Sequence, residues 1–114
     1  MENCIFCKIA AGTLPARIVQ QDEQVTVFHD LHPQAPVHLL VIPNRHITSL
    51  NHASAADEAL LGRLFSAARQ AAQSLGIAES GYRLVVNTGA NAGQSVFHMH
   101  MHVLGGRHMH WPPG

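Results

Sequence analysis

The sequence predicts an α+β domain: an antiparallel sheet of about five strands crossed by one long helix, with a short helix at the N-terminus. Three observations carry that expectation. Short valine-rich runs alternate with polar turns over the first 43 residues, residues 55–75 alone sustain a helical period, and the last third contains a run of strict two-residue alternation. At 114 residues the chain is sized for one domain, 1–114, with one core.

Residues 3–11 (NCIFCKIAA) form a short apolar stretch ended by Gly12, which predicts a brief helix. Residues 17–20 and 24–30 flank a polar turn and read as a hairpin. Two prolines break LHPQAP, and VHLLVIP (37–43) follows as a mostly buried strand ending at Pro43. The long helix has Ser54 as N-cap, Asp57 at the capping-box position and Glu58 in the first turn. Leu61, Leu64, Phe65, Ala68, Ala72 and Leu75 share a face, and Gly76 supplies the stop. YRLVVN (82–87) is a strand, TGANAGQS (88–95) a glycine-bearing loop, and VFHMHMHVL (96–104) the alternating strand.

Composition narrows the function. Seven Lys and Arg balance seven Asp and Glu, so the chain lacks the basic excess that grips nucleic acid. No apolar run approaches the roughly 18–20 residues of a membrane span, and the acidic start Met-Glu-Asn-Cys does not read as a secretory signal. Cys4 and Cys7 are too close to staple a fold, which points to a reduced, cytoplasmic protein. Histidine is the anomaly, at 10 of 114 residues. Proton transfer, metal ligation and nucleophilic attack are all open to imidazole.

Alternation in 96–104 sends Phe97, Met99, Met101 and Val103 to one face and His98, His100 and His102 to the other. The apolar set calls for a core under the long helix, leaving three imidazoles aligned on a rigid element. In the preceding loop, Gly89 and Gly93 allow several N–H groups to converge on one anion, with Gln94 and Ser95 adding side-chain donors. A phosphate-sized ligand beside three histidines is the natural reading.

The run HMHMHVL resembles the signature of the histidine triad (HIT) family. The similarity extends through FHDLHPQAPVHLLVIP, YRLVVNTG, GQSVFHMHMHVLGGR and HWPPG, covering roughly residues 5–114. It is greatest to the Hint branch, the purine nucleoside phosphoramidases. The resemblance implies the HIT-like fold and a nucleophilic role for His100, flanked by His98 and His102, with Ser95 relaying a proton to the leaving amine. It also implies that Asp30 accepts from the ribose hydroxyls, that His29 and Leu31 border the base, and that Phe6 and Ile18 line the purine slot. Asn87, Gly93, Gln94 and Ser95 would hold the phosphate and leaving group. The implied assembly is a two-fold homodimer in which the tail, 105–114, reaches the partner's site and Trp111 shapes it.

Three departures stand out. Ala92 replaces a second glycine common in relatives, Phe97 replaces a common tyrosine, and CIFC at 4–7 is absent from vertebrate-type Hint proteins. In some bacterial relatives and in the related galactose-1-phosphate uridylyltransferases such cysteines bind zinc with two distant histidines. The matching positions are Cys4, Cys7, His46 and His98, a closed Cys₂His₂ set and hence structural. Inert thiols and a redox pair are the other readings of this CxxC. His32, His38, His52, His108 and His110 receive no role and are expected mostly in loops or on the surface.

The leading expectation is therefore a hydrolase that splits the P–N bond of purine nucleoside phosphoramidates. The alternatives are a dinucleoside polyphosphate hydrolase or nucleotidyl transferase, a non-catalytic AMP-binding module, and a catalytic metal site on His-x-His. The last is weakened by the lack of an acidic ligand near the triad.

Overall fold

All five predicted strands are present, and the sheet they form is covered on both faces. The computed structural model describes residues 3–114. In chain order the elements are α1 (Ile5–Ala10), β1 (Ile18–Gln21), β2 (Val25–His29), β3 (Val37–Pro43), α2 (Glu58–Ser74), β4 (Tyr82–Val85) and β5 (Met101–Gly105). The strands lie in the order β1-β2-β3-β5-β4, every neighbouring pair antiparallel. The expected α+β architecture, a five-stranded antiparallel sheet with one long and one short helix, is present.

One face of the sheet packs on α2. Val25, Val27, Leu39, Val41, Met101 and Val103 meet Leu64, Ala67, Ala68, Ala71 and Ala72 in a single buried cluster. The capping box is formed, with the Asp57 carboxylate accepting from the Ser54 N–H at 2.9 Å. Its first turn, Ala55–Asp57, is a 3₁₀ turn that leads into α2. Phe65 departs from the expected face and is 58% exposed. The buried arc is centred on Leu64 and Ala71, and the residue after Leu64 points about 100° away from it.

The other face carries α1 and the histidines. Phe6 and Ile9 of α1 pack on Phe28, Leu40 and Ile42. A six-residue helix cannot persist alone, and burial of these two side chains holds it at roughly 1.5–3 kcal/mol each.

The largest difference from the sequence reading is the length of β5. Alternation predicts a strand over 96–104, whereas pairing begins at Met101. In the β3–β5 register Val41 lies opposite Met101, so Met99 would fall opposite Pro43, which has no N–H. The Met99 N–H donates instead to the Ile47 carbonyl at 2.6 Å. Met99, Met101 and Val103 still reach the core, but Phe97 does not and is 61% exposed.

Candidate active site

The shortened strand and the segment before it place the three triad histidines in three different environments. His98 is fully buried beneath α1. Its Nε2 donates to the Pro43 carbonyl at 2.8 Å, which leaves Nδ1 with a free lone pair. Burial lowers its pKa, against the opposing effect of that carbonyl. His100 lies 2.8 Å through Nδ1 from the His98 carbonyl. A carbonyl only accepts, so the His100 proton sits on Nδ1 and Nε2 is bare. His102 lies on β5 with Nδ1 at 2.8 Å from His38 Nε2. Burial, with His100 and His38 acting in the same direction, pushes its pKa down to about 4, so it is neutral at pH 7.

His100 and His102 open on a cleft of about 430 Å³ on the α1 side of the sheet. Phe6, Phe28 and Leu40 line its apolar part, and the Phe6 ring meets His100 edge-on at 5.1 Å between centroids. His29, Asp30 and Leu31 form one rim and Ser95 another. Leu31 is 84% exposed there.

Other expected site residues stand outside the cleft. Ile18 is on β1, Asn87 follows β4, and neither lines it. Gly93 ends the 3₁₀ turn Ala90–Ala92 at φ +78°, as Gly89 begins it at +81°, conformations that glycine adopts without strain. Ala92 has no such requirement, since no described non-glycine residue has positive φ. Gln94 is buried and braces the loop. Its amide donates to the Thr48 and Val96 carbonyls, at 2.8 and 3.1 Å, and accepts from the Gly89 N–H at 3.0 Å. Its side-chain donors are therefore engaged within the protein. Trp111 is 81% exposed on this chain.

Cys4, Cys7, His46 and His98 converge, their ligand atoms all within 4.8 Å of one another. Cys4 caps α1, its Sγ accepting from the Cys7 N–H at 3.3 Å. His98 Nδ1 lies 3.2 Å from Cys4 Sγ and 3.5 Å from Cys7 Sγ, and His46 Nδ1 lies 3.4 Å from Cys7 Sγ. A tetrahedral zinc, with bonds of about 2.3 Å to sulfur and 2.0–2.1 Å to nitrogen, holds sulfur and nitrogen ligands roughly 3.5 Å apart. The four residues fit that ion. Burial, and Cys4 beside it, raise the Cys7 thiol pKa, whereas a coordinated cation would ionise it.

Two features escape the sequence reading. His38, expected in a loop or at the surface, is 5% exposed on β3 and bonded to His102. The signal was a histidine inside an otherwise apolar strand. Alternation aligns it with Leu40 and Ile42, on the face where pairing with β5 brings it diagonally against His102. The second is acidic. Asp30 lies 3.4 Å through Oδ2 from His38 Nε2, so a carboxylate does stand near the triad, contrary to expectation. Asp30 is 30 residues into the chain and reaches His102 only because β3 separates β2 from β5. Its Oδ1 accepts from the His32 N–H at 2.8 Å in a local turn.

Comparison with known proteins bears on this site. The HIT domain model matches residues 11–109. A purine nucleoside phosphoramidase of Escherichia coli K12 is 51% identical over 106 residues, covering 93% of this chain and 89% of its own. An uncharacterised HIT-like protein of Synechocystis is 49% identical over 113 residues, covering 99% and 98% of the two chains. Among solved structures, an HIT family hydrolase from Legionella pneumophila superposes with a TM-score of 0.96 at 49% identity, covering 98% of this chain and 100% of that one.

Proposed function

The chain belongs to the HIT domain family, and on that basis we propose that it is a hydrolase acting on purine nucleoside phosphoramidates, releasing a nucleoside monophosphate and an amine. One observation carries the reading. The His100 Nδ1–H is tied to the His98 carbonyl, so a bare Nε2 stands in a cleft with apolar walls for a base and a carboxylate for a ribose.

In the proposed reaction His100 Nε2 attacks phosphorus and the P–N bond breaks. The amine leaves with a proton relayed by Ser95, giving a nucleotidyl-imidazole on His100. Water then attacks phosphorus, giving through Ser95 a proton that replaces the one passed to the amine, the P–Nε2 bond breaks, and the monophosphate leaves with net retention. Of the Gly93–Ser95 loop, the Gly93 and Gln94 N–H groups are bonded to the Ala90 and Gly89 carbonyls. Ser95, which lines the cleft, and the His102 N–H therefore stabilise charge on the non-bridging oxygens, a contribution typically of a few kcal/mol per donor. Asp30 accepts from the ribose. Phe6, with His29 and Leu31, borders the base and Ser95 stands on the phosphate side. Gln94 supports the phosphate side by bracing its loop, and Ile18 and Asn87 are given no contact with substrate. His100→Ala is expected to lower amine release from adenosine 5′-phosphoramidate by at least 10³-fold, with AMP affinity largely retained. A variant keeping a tenth of wild-type activity would contradict the proposal.

Zinc on Cys4, Cys7, His46 and His98 is proposed as structural: all four ligand positions are filled by protein, and none is left for substrate. It would fasten α1, which carries Phe6, to the segment before β5 that carries the nucleophile. Two exposed features support a homodimer. β4 is a regular edge strand, whereas the other edge, β1, is interrupted by a bulge between Ile18 and Gln20. The tail, 105–114, leaves Trp111 exposed on its own chain. Light scattering is expected to give a dimer at micromolar concentration, and a monomer would refute the shared site. No helix of the described residues is long and apolar enough to cross a membrane. The proposed setting is cytoplasmic, supported by the two free cysteines.

A further inference from the structure

His102 is useful as a donor to phosphoryl oxygen only if its proton is on Nε2, the nitrogen not bonded to His38. A chain of hydrogen bonds beginning outside the site decides this. The backbone N–H of Gln34, in the loop between β2 and β3, lies 3.0 Å from His38 Nδ1. A backbone amide only donates, so His38 Nδ1 is bare and its proton is on Nε2. That N–H lies 2.8 Å from His102 Nδ1 and 3.4 Å from Asp30 Oδ2. The nearer partner accepts, and His102 must then carry its own proton on Nε2.

Residue 34 is gripped through both main-chain groups. Its carbonyl accepts from Arg107 Nε at 3.1 Å, and Arg107 also donates to the His108 carbonyl at 3.1 Å. The Gln34 side chain closes its own loop, donating to the His32 carbonyl at 3.0 Å. The tail turn lies against this loop so closely that a Cβ on Gly106 would come within 2.9 Å of Pro36. The loop and the tail are thus one docked unit, and the start of the loop, Asp30 and Leu31, rims the cleft.

We propose that Gln34, through its backbone N–H, and Arg107, which holds it, are positioning residues that set the tautomers of His38 and His102. This rests on the hydrolase reading for its kinetic consequence but not for its structural one. Without the Gln34 N–H, His38 can place its proton on Nδ1. Its bare Nε2 then faces His102 Nδ1, which takes the proton, and His102 presents a lone pair to the phosphoryl oxygens instead of an N–H.

Imidazole ¹⁵N NMR at pH 7 reads the tautomers directly and needs no substrate. The wild type is expected to show unprotonated Nδ1 and protonated Nε2 at both His38 and His102. Protonated Nδ1 at either residue overturns the proposal, and this holds even if a variant fails to fold. Gln34→Pro removes the N–H and is expected to mix or invert the pattern and to lower kcat at least tenfold with little change in KM. Gln34→Ala keeps the N–H and should restore the wild-type pattern. Arg107→Ala should disturb it partly, and Arg107→Lys less. An unchanged pattern in a folded Gln34→Pro protein overturns the proposal. The wild-type pattern in a protein that cleaves no phosphoramidate supports the tautomer chain and overturns the activity.

Discussion

The two ends of the triad look alike as donor sets and differ in where their protons lie. At the His98 end, Cys4, Cys7, His46 and His98 bring four ligand atoms together; at the His102 end, Asp30, His38 and His102 bring three, in each case within 4.8 Å. At the first end His98 Nε2–H donates to the Pro43 carbonyl, so the Nδ1 lone pair faces the two thiols. At the second end the Gln34 N–H occupies His38 Nδ1, so a proton fills the space between His38 and His102. A cation there would have to drive that proton onto a nitrogen already facing a donor. Proximity of ligand types therefore does not define a metal site. Backbone groups one shell out decide which cluster is free to take a cation and which is closed by a hydrogen bond.

The sharpest way to break this comparison is to remove the thiols. Protein purified without added metal should contain about one zinc per chain, and Cys4→Ser with Cys7→Ser should contain none. Loss of the ion unfastens α1, and the unfolding midpoint should fall by on the order of 10 °C or more. Asp30→Asn or His38→Ala should leave zinc unchanged. Two ions per chain, or a zinc content that falls with His38, would show that both ends bind metal.

Much of this contrast was legible in the sequence, and the reasons it was not all legible are specific. The alternation of His98, His100 and His102 and the spacing of CIFC are local patterns, and the fold brings their residues together as expected. The strand they were assigned to was too long, because the absence of an N–H on Pro43 matters only once the β3–β5 register is known. Phe97 followed that error and Phe65 a misplaced stripe centre. His38 lies on β3 and Asp30 directly after β2, and they meet His102 only through sheet order, which no local pattern encodes. The Gln34 N–H has no side-chain signature at all.

A smaller effect sharpens the contrast through pH. Burial holds the pKa of His102 at about 4 and lowers that of His38, against the opposing pull of Asp30. The unfolded chain takes up these protons near pH 6.5, as free histidines do. Between about pH 6.5 and 4 the unfolded state thus binds more protons than the folded one, and stability falls as pH falls. The unfolding midpoint should be level above pH 7, decline through this window, and lose less of it in His38→Phe. A midpoint that instead rose on acidification would mean that His102 gains a proton on folding.

Between the two ends lies His100, and the central claim is that its bare Nε2 forms a bond to phosphorus. The direct measurement is rapid quenching of wild-type protein with adenosine 5′-phosphoramidate, followed by peptide mapping under conditions that preserve phosphorus–nitrogen bonds. The account predicts an AMP adduct on His100 that forms and decays within a turnover and is absent from His100→Ala. Turnover with no adduct, together with inversion at phosphorus, would contradict it.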